Sequence, residues 1–311
     1  MADTKIEWAT KVWNPVRGCS LVSKGCRYCY AMRQAHRFSG PGKPYEGLTE
    51  IGPNGPRWNG KVRLVPELLE EPLRWRKPRR VFVNSMSDLF HKEVPYGFIR
   101  GVIQSALLAV KKRGHTFIFI TKRAGRMLDY FQAEAHSVFQ GYLAHEPRMQ
   151  FGVSVEDQPT ADDRVPRLLR CPVATLIVSY EPALRPVEFT SGRDWLRVVR
   201  VLSPDTEQLP HYVRPRIDWV IAGGESGPGE RPPVPEWFRS ARDQCLAAGV
   251  PFFFKQWGEW SPIGDASKHK YRDMPCGDGT HHRMFRVGKK AAGRLLDGRE
   301  WNEYPKIGNR E

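Results

Sequence analysis

The sequence predicts an α/β protein built as a partial or complete TIM-like (β/α) barrel. Short, continuously apolar runs of strand length recur along the chain, each followed by a stretch with helical spacing. Strands that are apolar on both faces belong to parallel sheets covered on both sides. The runs end, one after another, in polar or charged residues, as strands do at the C-terminal mouth of a barrel. The first strand–helix turn also lacks the Gly-rich fingerprint of a dinucleotide-binding sheet.

An early strand near Val12 leads into a loop with three cysteines, and residues 31–38 open a helix. Residues 39–60, with their Gly, Pro and Asn, read as a loop. Strands follow at residues 81–85, 116–121, 149–155, 175–179, 219–223 and 251–255. Helical spacing occupies residues 96–110, 124–134, 162–169 and 235–248. Two stretches break the rhythm. Residues 184–215 are long, charged and Pro-bearing, an insertion or mobile loop. Residues 259–311 are rich in Gly, Lys and Arg and read as an appended lid or nucleic-acid-contacting segment. The expected division is a barrel over 1–258 and a basic C-terminal extension over 259–311.

The strand ends carry Asn84, Ser85, Ser87 and Asp88, then Lys122 and Arg123, then Ser154, Glu156 and Asp157. Next come Ser179 and Glu181, then Gly223, Gly224, Glu225 and Ser226, then Lys255 and Gln256. A single polar end is readily a helix cap, as Asp88 or Asp157 would be. Six such ends in succession predict one shared site.

The chain has 49 basic and 34 acidic residues, a net charge of +15. Such an excess favours polyanions and makes nucleic acid the leading partner. Basic residues cluster at 74–80, 111–113, 122–126 and 289–294. Ten Trp and ten Tyr suit base stacking, and equally an ordinary core. No apolar run approaches the roughly 20 residues that span a bilayer. The N-terminus lacks the apolar core of a signal peptide. A cytoplasmic protein without membrane contact is expected.

Three of the six cysteines, Cys19, Cys26 and Cys29, form a Cys-x6-Cys-x2-Cys cluster. In a cytosolic chain such spacing points to metal rather than disulfides. Zinc sites usually add a second cysteine pair or a His pair, and only His36 stands nearby. Three thiolates suit a cubane iron–sulfur cluster with one iron left open to a ligand. Structural zinc stays open as the other reading. Gly18 and Gly25 free the backbone to wrap a metal core, and Tyr28 is placed to shield one side. Cys171, Cys245 and Cys276 stand apart and read as buried small hydrophobes.

The sequence resembles a phage- and prophage-associated three-cysteine family of radical-SAM-like proteins over nearly its whole length. The resemblance rests on several segments in order. They include residues 4–8, 13–15, Gly18-Cys19, and Cys26-Arg27-Tyr28-Cys29-Tyr30. They continue through residues 81–91, 121–123, 152–156 and 181–182. The last are Gly223-Gly224-Glu225-Ser226, residues 254–258 and residues 288–290. Two departures from radical-SAM enzymes at large are plain. Most of those use Cys-x3-Cys-x2-Cys, and their Gly-Gly-Glu follows the second strand, whereas here it comes at 223–225.

The resemblance implies a barrel of the radical-SAM type holding a 4Fe–4S cluster on Cys19, Cys26 and Cys29, with S-adenosylmethionine on the open iron. By position, Asn84, Ser85, Ser87 and Asp88 would receive its amino group, Ser154 and Glu156 its ribose, and Gly223 and Gly224 its adenine. Glu181, Glu225, Lys255 and Gln256 are the substrate-side candidates for catalysis. An electron donor such as flavodoxin or ferredoxin would be a partner. Basic charge and phage association together suggest modified phage DNA, and an isomerase moving a glycine-type substituent on a hypermodified thymine. Lys122, Arg123, Lys289 and Lys290 would contact phosphates. Other readings are a radical-SAM enzyme on RNA, a nucleotide or a peptide, a repair lyase, and a zinc-stabilised nucleic-acid-binding protein without catalysis.

Overall fold

Seven strands run parallel in one sheet, and their order in the sheet is their order in the chain. They are β1 (Lys11–Trp13), β2 (Arg80–Val83), β3 (Thr116–Thr121), β4 (Met149–Val155), β5 (Thr175–Tyr180), β6 (Trp219–Gly223) and β7 (Phe252–Gln256). The computed structural model describes residues 4–307 apart from 54, 135–137, 191, 193, 198–199, 202–211, 214–215, 228 and 277–278. Helices α1 (Tyr30–Arg37), α2 (Tyr96–Arg113), α3 (Ala124–Ala133), α4 (Val138–His145), α5 (Gln158–Leu168) and α6 (Pro235–Ala248) fall between the strands.

The period-2 rule of strands explains the layers. Phe117, Phe119, Phe151, Val153, Val178, Val220 and Phe254 point outward and join Ile99, Val102, Ile103 and Phe238 of the helices in one large core. Their neighbours Ile118, Ile177, Ile221 and Phe253 point inward and meet Trp8 and Trp219. Strands apolar on both faces need this double cover. Helix boundaries follow local chemistry: Asp157 and Thr160 form a capping box at the start of α5, and Gly114, at φ +68°, ends α2.

The sheet is curled into a half-barrel. Trp8 lies 4.7 Å from the Phe82 ring of β2 and 6.2 Å from Trp219 of β6. Four strand spacings in a flat sheet would separate β2 from β6 by about 19 Å. Tyr304, from the C-terminal segment, packs 5.4 Å from both Trp219 and Phe253 and takes the Arg80 guanidinium 3.9 Å over its ring. Among the described residues β1 and β7 do not pair with each other, so the barrel is partial.

Two regions differ from the sequence expectation. Residues 39–60 contain an antiparallel hairpin, Thr49–Gly52 with Gly55–Trp58. It forms because Tyr45, Leu48 and Trp58 pack on Ala31, Met32 and Ala35 of α1. The C-terminal extension holds a three-stranded antiparallel sheet of Trp260–Ser261, His281–Arg286 and Tyr271–Pro275. Its Met284, with Ala292, Leu296 and Trp301, belongs to the main core. The expected insertion at 184–215 lies largely outside the described residues, although Val187, Phe189, Trp195 and Leu196 are buried. No helix among the described residues is long and apolar enough to cross a membrane.

Candidate functional site

The inward row of each strand changes from apolar to polar at the C-terminal end. Phe82 gives way to Asn84, Ile120 to Lys122, Ile177 to Ser179 and Glu181, Ile221 to Glu225, and Phe253 to Lys255. Nearly all these groups line one cavity of about 210 Å³ at the mouth of the half-barrel.

The cysteine loop folds over this mouth. Gly18 sits at φ +88°, and a Cβ there would stand 2.2 Å from the Lys61 carbonyl. Only glycine fits that crossing. A Cβ on Gly25 would meet the Glu156 side chain at 2.5 Å, so the second glycine lets the loop rest on the end of β4. Ser23 Oγ donates to Glu156 Oε1 at 2.8 Å and fastens it. Cys19, Cys26 and Cys29 all line the cavity, with Tyr28 beside them and Tyr30 opening α1. Burial pushes the Cys19 thiol up to about 12, with Asp88 adding to the rise and Arg123 opposing it. Burial likewise raises Cys29. Thiols so placed stay protonated at neutral pH unless a bound metal ion displaces their protons.

Carboxylates and cations are paired around the cavity. Lys122 Nζ lies 2.8 Å from Glu156 Oε1, and Arg164 Nη1 lies 3.2 Å from the same oxygen. Burial works against the Glu156 charge, but Lys122 and Arg164 prevail and hold its carboxyl below the usual range. Arg123 pairs with Asp88 at 2.9 Å and donates to Ser20 O at 3.0 Å. Asp88 also accepts from Thr121 Oγ1 at 2.7 Å. Lys255 Nζ stands 2.9 Å from Glu181 Oε1. Burial opposes the lysine's charge, yet Glu181 raises its pKa above the ordinary value. Arg231 grips Glu225 through two nitrogens, at 2.8 and 2.5 Å.

Three buried polar atoms on the cavity wall have no hydrogen-bond partner among the described residues: Asn84 Oδ1, Gln256 Oε1 and Trp8 Nε1. Their residues are otherwise well held. Asn84 Nδ2 donates to Ser87 Oγ at 2.8 Å, and Gln256 Nε2 donates to the Gly224 carbonyl at 2.8 Å. Buried polar atoms left unmet at a cavity wall mark a place for a polar ligand. Two free acceptors call for a ligand with N–H or O–H donors.

The structure brings together Cys19, Cys26, Cys29, Tyr28, Asn84, Ser85, Ser87, Asp88, Lys122, Arg123, Ser154, Glu181, Gly224, Glu225, Lys255 and Gln256. Other expected residues take different places. Glu156 stands behind the wall, with its oxygens spent on Lys122, Arg164 and Ser23, so it braces the loop instead of meeting a ribose. Gly223 and Gly224 are required by close packing, on a side chain at the first and on backbone at the second. A Cβ on Gly224 would meet the Trp257 carbonyl at 1.9 Å, and one on Gly223 would meet Glu181 at 2.7 Å. Lys122 and Arg123 spend their charge inside the cavity wall on Glu156 and Asp88. Lys289 faces an adjoining, wider groove, and Lys290 is exposed. Trp8, Ser20, Ser23, Arg164 and Arg231 are site residues that the sequence alone did not reveal.

The wider groove, of about 1090 Å³, adjoins the cavity and shares Tyr30, Ser85, Ser226, Lys255 and Gln256 with it. Lys5, Arg33, His36, Arg37 and Lys289 give it a basic lining.

A family model described as "Protein of unknown function (DUF5131)" matches residues 3–305, and the chain belongs to that family. No curated protein and no solved structure matches it.

Proposed function

We propose that the chain is a radical S-adenosylmethionine enzyme that modifies nucleic acid, an isomerase rearranging a glycinyl-type substituent on a hypermodified thymine of phage DNA. The observation that carries this reading is the meeting of three thiols from one loop with unpartnered Asn84 Oδ1 and Gln256 Oε1 in one cavity at the mouth of a parallel half-barrel.

The residues fit a cubane better than a single zinc. Tetrahedral zinc at about 2.3 Å per thiolate would hold the sulfurs about 3.8 Å apart. Among the described residues, the group of His, Cys, Asp and Glu ligand atoms drawn within 4.8 Å of one another lies elsewhere, at Glu236, Cys276 and His282. A cubane sets its thiolates on separate irons and so needs them wider apart. When bound, a 4Fe–4S cluster with S-adenosylmethionine on its open iron would supply the electron and the carbon radical for the reaction.

The chain's own residues do the rest. Asn84 Oδ1 and Gln256 Oε1 would accept hydrogen bonds from the amino groups of S-adenosylmethionine. Tyr28 and the Glu225–Arg231 pair wall off one side and keep water out. Lys255 stands where the groove meets the cavity, and Glu181 pairs with it from the cavity side. Lys255, held cationic by Glu181, would bind the carboxylate of an amino-acid substituent, and Glu181 its amino group. The basic groove would hold phosphates while the modified base leaves the stack and enters toward Lys255.

The test is anaerobic purification with iron and sulfide analysis, then reduction in the presence of S-adenosylmethionine. About four irons per chain and release of 5′-deoxyadenosine are expected. Colourless protein whose zinc is lost on Cys26→Ala would overturn the reading and leave a zinc-stabilised binding protein.

A further inference from the structure

We propose that Glu236, Cys276 and His282 form a second metal site, for zinc, that clamps the C-terminal sheet onto helix α6. The site stands apart from the proposed function: none of its three residues lines the cavity or the groove.

The sheet register builds it. In the antiparallel pair of Tyr271–Pro275 with His281–Arg286, Met274 faces His282 and Pro275 faces His281. The pairing continues one step further, where the Cys276 N–H donates to the Thr280 carbonyl at 2.8 Å. Alternation therefore puts Cys276 on the same face as Met274, and His282 diagonally across from it. That face turns toward the first turn of α6, which Pro235 opens and from which Glu236 projects. His282 Nε2 lies 2.7 Å from Glu236 Oε1, and Cys276 Sγ lies 3.8 Å from Glu236 Oε2. The three ligand atoms lie within 4.8 Å of one another, and all three residues are half-buried.

The donor set selects the ion. A thiolate, an imidazole and a carboxylate together suit zinc, which takes all three at about 2.0–2.3 Å in a tetrahedron. The fourth position falls to water. Binding would displace the Cys276 proton and the proton that His282 Nε2 now donates to Glu236, which frees the nitrogen lone pair for the metal. Arg239 also contacts Glu236 Oε1, at 2.6 Å, and would have to yield. It keeps a second carboxylate, Asp297, at 2.8 Å, so its charge stays paired when zinc takes Glu236. The clamp joins segments far apart in sequence, and its ordering of the unbound chain would show as stability.

The test uses the full chain, reconstituted anaerobically and analysed for iron and zinc together. One zinc per chain is expected in addition to the iron. Cys276→Ser and His282→Ala should each lose the zinc and keep the iron, while His281→Ala, on the opposite face of the strand, keeps both. Cobalt supplied to a Cys19→Ala/Cys26→Ala/Cys29→Ala variant should show the thiolate charge-transfer band, absent once Cys276→Ser is added. Protein that binds no zinc, or that keeps its zinc through Cys276→Ser and His282→Ala, overturns the proposal. A zinc that departs only with Cys26→Ala would overturn this site and the cluster reading together, whereas absent iron with zinc held by Cys276 would overturn the cluster alone.

Discussion

The two ends of the half-barrel are made from the same inward-facing rows and behave in opposite ways. At the N-terminal end, Trp8, Ile118, Ile177, Trp219 and Phe253 interlock, and Tyr304 fills the space between β2 and β6. Two to six residues further along, the same rows present Lys122, Ser179, Glu181, Glu225 and Lys255 around an open cavity. One end is closed by dispersion and apolar burial, the other held open by ion pairs. Closing one end with aromatic rings fixes the curl that brings six strand ends into reach of one ligand. Stability and function are thus separated along roughly 7–20 Å of chain.

That separation predicts a graded series. Cys26→Ala should have the largest effect, removing the cluster and all cleavage of S-adenosylmethionine while leaving the unfolding midpoint of metal-free protein nearly unchanged. Iron analysis and urea titration of the same sample check it. A large fall in metal-free stability would show that the mouth also carries the fold. Trp219→Ala should do the reverse. Its ring is fully buried among Trp8, Phe253 and Tyr304, and its loss should cost about 3–5 kcal/mol. The folded fraction should still bind iron.

Glu156 belongs to the mouth, where it braces the cysteine loop from the end of β4. Glu156→Gln strands the charges of Lys122 and Arg164 and should cost about 3 kcal/mol at neutral pH. Its carboxyl is held below the ordinary 4.5 in the fold. The stabilisation is therefore complete above that unfolded value and fades as pH falls through the folded one. Unfolding free energies of the two proteins should converge as the pH falls below 4.5 and through the folded value, and a constant gap would assign the loss to packing. Gly224→Ala should cost about 1–3 kcal/mol, because its Cβ would force apart β6 and the Trp257 carbonyl. The smallest effect belongs to the groove. Lys289→Glu should weaken DNA binding a few-fold and lower its salt slope by about one to two, with iron content unchanged. Salt titrations of affinity measure it.

The barrel strands were legible because each is a short apolar run covered on both faces, and such runs have few alternatives. The strand-end polar groups were legible for the same reason: they stand where those runs stop. The C-terminal sheet was not legible. Tyr271–Pro275 is almost wholly exposed, and His281–Arg286 buries fully only Met284, so neither carries an apolar rhythm. Arg164 and Arg231 were hidden because one sits inside a helix and the other in a Pro-rich loop, and only the fold aims them at Glu156 and Glu225. Lys122 and Arg123 misled because a basic pair reads alike on a surface and in a cavity wall. At Gly224 close backbone approach to the Trp257 carbonyl and to a ligand demand the same residue, so the sequence could not separate the two.

The central claim is that a cluster on Cys19, Cys26 and Cys29 keeps one iron open toward Asn84 and Gln256. Electron paramagnetic resonance of the anaerobically reconstituted, reduced protein, recorded with and without S-adenosylmethionine, tests it most directly. The account predicts a reduced 4Fe–4S signal that S-adenosylmethionine shifts, with the shift needing a several-fold higher concentration in Asn84→Ala. A signal that S-adenosylmethionine leaves untouched, or no cluster signal at all, would contradict it.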